Sequence, residues 1–161
     1  MTDLTLEEKI HRLYASQEIK NLKAQYCAYC DDNYNPGGLA GLFTKNAVWD
    51  GGPEFGRHSG REAIRDFFAA VSGNILFAAH LVMNPIIEVS GNRATGQWRL
   101  IMPCTVREPD QAAEAKWLLS KYNEEYEFCD SNWLFSKMTV ESQFYCGHQE
   151  GWAQDLSLIQ I

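Results

Sequence analysis

Positive charge is in short supply in this chain. Fourteen Lys and Arg stand against 21 Asp and Glu in 161 residues, a formal net charge of −7. That balance argues against a nucleic-acid backbone or an anionic membrane as the main partner. No apolar run approaches the roughly 20 residues needed to span a bilayer. The opening Met1–Lys9 has neither the basic nor the apolar region of a signal peptide. A cytoplasmic protein is therefore expected. Five cysteines make an odd count and follow no disulfide-scaffold pattern, which predicts reduced thiols. A Gly-rich phosphate loop, a Gly-x-Ser-x-Gly elbow and a His-Glu-x-x-His motif are also missing, which counts against kinases, serine hydrolases and zinc proteases. No repeat, low-complexity tract or interdomain linker interrupts the chain, so residues 1–161 are expected to form one domain.

Apolar and aromatic residues are plentiful, at 45% and 12% of the chain. Thr5 with Glu8 makes a capping box, and Ile10, Leu13, Tyr14, Leu22, Tyr26, Tyr29 and Cys30 follow at three- and four-residue steps. This pattern predicts one long helix, or two joined near Ser16, running to about Asp32. Asn33–Gly38 stops it with proline and paired glycines. A helical turn is expected over 39–43, a short strand over 47–49, a loop at 50–53 and a second helix over 60–71. After Gly73 the texture changes to strands, predicted at 75–89, 93–106, 116–129 and 132–145, with turns at Ser90–Asn92 and Asp130–Ser131. Helices followed by an antiparallel meander imply an α+β fold, with helices covering one face of a sheet.

Within Asn74–Val89 a single imidazole, His80, stands among residues that leave water readily. Strand alternation places it on one face with Ala78, Val82 and Asn84, and Asn84 is a candidate to bond a substrate oxygen. A histidine titrates near 6.5, so it takes or gives a proton at neutral pH; the plain alternative is a core residue satisfied by backbone. Tyr26 and Tyr29 lie about 60° apart on the helix, and each is either a phenol donor or an amphipathic core ring. Cys27-Ala-Tyr-Cys30 has metal-motif spacing, and Cys146-Gly-His148 would complete a ligand set. Packed thiols account for the pair better, and no metal is expected. His11 and His58 read as surface residues, and Glu124–Glu127 as an exposed strand face. Some of Trp49, Trp98, Trp117, Trp133 and Trp152 are expected to line an apolar pocket.

Five segments in order carry a family resemblance: Tyr26-Cys-Ala-Tyr-Cys-Asp31, Leu42-Phe-Thr-Lys-Asn-Ala-Val-Trp49, Gly60-Arg-Glu-Ala-Ile-Arg-Asp-Phe-Phe68, His80-Leu-Val-Met-Asn-Pro85 and Gly91-Asn-Arg-Ala-Thr-Gly-Gln-Trp98. Together they resemble the SnoaL-like branch of the nuclear-transport-factor-2-like (NTF2-like) superfamily. The resemblance implies a cone, in which a strongly bent sheet wraps an apolar pocket and the N-terminal helix closes it. It further implies homodimers or homotrimers, and, from the dehydratases and dehydrochlorinase of that branch, elimination chemistry without metal or organic cofactor. Its histidine–aspartate base falls on His80 and Asp31, and its assisting tyrosine on Tyr26. Asp32 stays open as the alternative carboxylate. Met102 replaces an acid found in the bile-acid dehydratase, and Glu141–Ser142 stand where that enzyme has an arginine.

These readings lead to an expected lyase acting on a hydrophobic hydroxylated polycyclic or aromatic substrate. His80, Asp31 and Tyr26 would be catalytic, and Tyr29, Trp49, Asn84, Trp98 and Met102 would contact the substrate. Aldehyde-releasing carbon–carbon cleavage uses the same base. A double-bond isomerase, or a module that binds a ligand or a protein without chemistry, is the alternative.

Overall fold

The computed structural model describes residues 4–153. Met1–Asp3 of the opening segment, and 154–161 of the expected domain, lie outside the described residues. The capping box forms as predicted: Thr5 Oγ1 accepts from the Glu8 backbone N–H, and Glu8 accepts in return from that of Thr5. It starts α1 (Leu6–Asp31), a single helix with no break at Ser16. Its buried side runs through Ala15, Ile19, Lys23, Tyr26, Cys27 and Cys30. The predicted inward stripe is wrong in the first half, where Ile10, Leu13 and Tyr14 face outward. Asn33 and Tyr34 then take φ of 52° and 51°, a left-handed stop. Asn35 caps α2 (Pro36–Gly41) by accepting from the Gly38 N–H.

The remaining elements are β1 (Phe43–Asp50), α3 (Gly52–Phe55), β2 (Arg57–Ser59), α4 (Arg61–Val71), β3 (Ile75–Ala78), β4 (Leu81–Ser90), β5 (Arg93–Val106), β6 (Glu114–Cys129) and β7 (Asn132–Gly147). The sheet runs β2-β1-β7-β6-β5-β3, with β4 pairing the rest of β5. All pairings are antiparallel except β1 with β7, so the meander is closed by one parallel neighbour. The sheet curls into a half-barrel with the helices packed on it, the NTF2-like α+β cone.

Strict alternation on β5 sends Ala94, Gly96, Trp98, Leu100, Met102, Cys104 and Val106 toward the concave side. The same face of β6 carries Leu118, Ser120, Tyr122, Glu124 and Tyr126. Gly96 is required there, because a Cβ would come within 2.6 Å of the Tyr126 hydroxyl. The predicted strand 75–89 is corrected to two. β3 and β4 both run along β5, and the regular ladder is interrupted at Ala79 and His80 between them, where the Ala79 N–H still donates to the Pro103 carbonyl at 3.1 Å. The segment 50–53, expected as loop, contains the start of α3, and β2 carried no signal in the sequence.

Candidate active site

The break between β3 and β4 places His80 opposite the last residue of α1. Asp31 accepts from the His80 backbone N–H at 2.9 Å through Oδ1 and pairs with Nδ1 of the ring at 2.7 Å. A carboxylate gripping both groups fixes the ring's orientation and, in the neutral ring, favours the tautomer with the proton on Nδ1. The imidazole is almost wholly buried, whereas 38% of the Asp31 side chain stays exposed. The acid therefore touches water on one side and the ring on the other. Asp32 is exposed and its carboxylate accepts from Asn35 Nδ2, at 3.4 Å, rather than from His80, so Asp31 is the histidine's partner.

His80 lines an apolar cavity of about 50 Å³, together with Tyr26, Tyr34, Trp49, Met102 and Tyr122. Phe55, Phe67 and Phe68 close it on the side of α3 and α4. That volume holds a water molecule or two, far below the roughly 300–1,000 Å³ of drug-sized ligand sites. A large substrate enters only if these side chains move. Another groove, of about 620 Å³, opens between α1 and the β4–β5 turn. Its walls carry Arg12, Glu88, Arg93, Glu125 and Glu127 but no imidazole, so we place the candidate chemistry at the smaller cavity.

Tyr26 is fully buried, and its hydroxyl accepts from Trp49 Nε1 at 3.2 Å and lies beside the Cys30 thiol. Burial pushes this phenol well above the usual tyrosine range, chiefly by desolvation of the charged form. Tyr34, edge-on to His80 at 5.8 Å, is raised for the same reason.

Of the expected substrate contacts, Trp49 and Met102 line the cavity and three others do not. Tyr29 packs its ring over Gly38, where a Cβ would lie 2.8 Å away. Trp98 is buried and donates to the Tyr126 hydroxyl at 3.0 Å. Asn84 is exposed, with φ of 53°, in the irregularity between Met83 and Ile86. The interruption of the ladder at 79–80, followed by this irregularity, removes the shared face that strict alternation implied for His80 and Asn84.

Other readings are also corrected. Glu124 is buried against a buried Lys23, with Nζ 2.5 Å from Oε1, because it lies in phase with Tyr122 and Tyr126 on the concave face. His58 is half-buried, stacked on Phe67 at 4.1 Å, with Nε2 2.9 Å from the Phe55 carbonyl oxygen. Cys27 and Cys30 are packed inside α1, and burial pushes Cys27 up to about 11. His148 Nδ1 accepts instead from Trp117 Nε1 at 2.9 Å, and among the described residues no group of His, Cys, Asp and Glu is arranged to hold a metal ion. Sequence reasoning missed Tyr34 and Tyr122. The alternation of β6 was the available signal for Tyr122, hidden by flanking Lys, Asn and Glu.

A curled half-barrel sheet with helices packed on it defines the cone-shaped NTF2-like class. Within it the chain belongs to the SnoaL-like domain family, whose model matches residues 11–139. Solved structures of similar fold include a hexachlorocyclohexane dehydrochlorinase from Novosphingobium barchaimii. It is 22% identical over 86% of this chain and 93% of its own, with a TM-score of 0.76. A candidate scytalone dehydratase from Novosphingobium aromaticivorans is 20% identical over 85% and 89%, with a TM-score of 0.74. An NTF2-like protein with a cystatin-like fold from the same organism is 20% identical over 100% and 99%, with a TM-score of 0.69. No curated protein matches the sequence.

Proposed function

We propose that this protein is a cofactor-independent lyase that eliminates water, or a related leaving group, from a hydrophobic hydroxylated substrate of polycyclic or aromatic type. The observation that carries this reading is the 2.7 Å contact between His80 Nδ1 and Asp31 Oδ1 at the edge of an apolar cavity. His80 Nε2 takes a proton from carbon, and Asp31 stabilises the resulting imidazolium, as a carboxylate does for the histidine of hydrolase triads. Tyr26, with its oxygen already accepting from Trp49, gives its own proton to the departing oxygen. Deprotonating a substrate hydroxyl with the same base instead permits carbon–carbon cleavage and release of a small aldehyde. Returning the proton elsewhere on the substrate makes an isomerase from the same parts.

The proposal extends to a homodimer or homotrimer, supported by outward apolar side chains on α1 and on β3 and β4. It also extends to a cytoplasmic setting, supported by five free cysteines. The test is turnover of a panel of hydroxysteroids, hydroxylated polyketides and diaryl alcohols with a metal chelator present, read by mass spectrometry. Loss of water that disappears in folded His80→Ala supports the lyase. Binding without turnover, untouched by His80→Ala and Asp31→Asn, overturns it in favour of a ligand-binding module.

A further inference from the structure

Beneath the cavity the cone holds a charge that the elimination scheme leaves unused. Lys23 of α1 is fully buried and donates to Glu124 Oε1 of β6 at 2.5 Å. Glu124 Oε2 accepts from the Tyr126 hydroxyl, which itself accepts from Trp98 Nε1 at 3.0 Å. The acidic end of the pair is thus closed off by a phenol and an indole. The basic end faces the other way. Lys23 Nζ lies 3.3 Å from the Tyr122 ring centroid and 4.6 Å from that of Tyr26, and both rings line the cavity that holds His80.

Stability alone gives no reason for this placement, since apolar groups of similar volume commonly replace a buried ion pair without loss. A cation at the face of a phenol ring does favour negative charge on that phenol's oxygen. We propose that Lys23 is an electrostatic positioning residue, whose ammonium supports the charge that develops on Tyr122 and Tyr26 as they donate to an oxygen leaving the substrate. The inference rests on the elimination reading above and deepens it. In the step itself, His80 Nε2 takes the proton and the C–H electron pair becomes the new double bond. The C–O pair departs with the hydroxyl oxygen, which takes the phenol proton and leaves as water. The phenolate beside the ammonium then recovers a proton from the imidazolium through water, restoring both groups.

The experiment places 3,5-difluorotyrosine at position 122, where its more acidic phenol is titrated by fluorine NMR while the protein stays folded. Burial raises this phenol first of all, and Cys27, Cys30, Glu124 and Tyr34 raise it further. The titration is therefore compared between the otherwise unchanged chain and Lys23→Met with Glu124→Gln, which leaves the other three in place. Loss of the ion pair should make the phenol about tenfold weaker as an acid, the residue of a near cation and a more distant anion. Lys23→Arg should hold it near its original value. An unchanged or stronger acid in the Met–Gln pair overturns the proposal. If that pair does not fold, Lys23→Gln with Glu124→Gln is read by the same two outcomes. The titration needs no substrate, so it stands or falls separately from turnover. Once a substrate is in hand, the Met–Gln pair should lower kcat with KM little changed, a split that a purely structural role would not produce.

Discussion

At the scale of single residues, the site depends on one carboxylate doing two tasks. Asp31 holds the His80 backbone and sets its ring tautomer. Asp31→Asn keeps the shape and removes the charge, so turnover should fall by about 10²–10⁴-fold while the melting temperature moves little. Steady-state kinetics beside a thermal melt checks both halves. The buried thiols make a second prediction. Cys27 is raised to about 11, so above the usual thiol range the unfolded chain loses a proton that the folded chain keeps. Folding stability must therefore decline as pH rises from about 9 to 11, and Cys27→Ala should flatten part of that decline in urea titrations. His80 was legible in the sequence because an imidazole among so many apolar neighbours demands a reason. Asp31 was legible only through the resemblance, since a position 140° around the helix from Tyr26 does not share its face. Tyr34 reaches the cavity through a left-handed turn that no periodicity encodes.

At the scale of elements, the helices were easier to read than the strands. The capping box, α4 and the stop at Asn33–Pro36 all follow from local chemistry. Thr5→Ala should cost about 1 kcal/mol in denaturant unfolding. The interruption at 79–80 was hidden because β3 and β4 pair with the same strand and keep one apolar texture across the gap. Yet that gap turns His80 toward Asp31. The short α3 was also missed, and it bears on access. Phe55 lines the cavity, Gly52 and Gly56 flank it with φ of 67° and 75°, and the Ser142 hydroxyl donates to Glu54 at 3.0 Å. Phe55→Ala should enlarge the 50 Å³ space and tighten binding of a probe such as 1-naphthol, followed by tryptophan fluorescence. Unchanged affinity would show that entry does not pass α3.

At the scale of the whole molecule, the residues alone announced helices on a mostly antiparallel sheet, and the cone came from the resemblance that the ordered segments carry. The outer surface was less legible. The first half of α1 repeats apolar residues as a core helix would, yet Leu13 is 73% exposed and Ile10 57%. An intrachain periodicity does not reveal whether the covering partner is the same chain or another copy. Light scattering should give a mass of two or three 18.3 kDa chains, and Ile10→Glu with Leu13→Glu should move it toward one. A monomeric mass for the unaltered protein would remove the oligomer from the account.

The account as a whole turns on which nitrogen of His80 carries the proton. Long-range ¹⁵N–¹H correlation on histidine-labelled protein at neutral pH measures this directly. The prediction is an Nδ1–H resonance shifted downfield by the Asp31 carboxylate and lost in Asp31→Ala, with Nε2 unprotonated. A neutral ring protonated on Nε2 instead, unaffected by Asp31→Ala, would leave no base for the cavity and contradict the proposed chemistry.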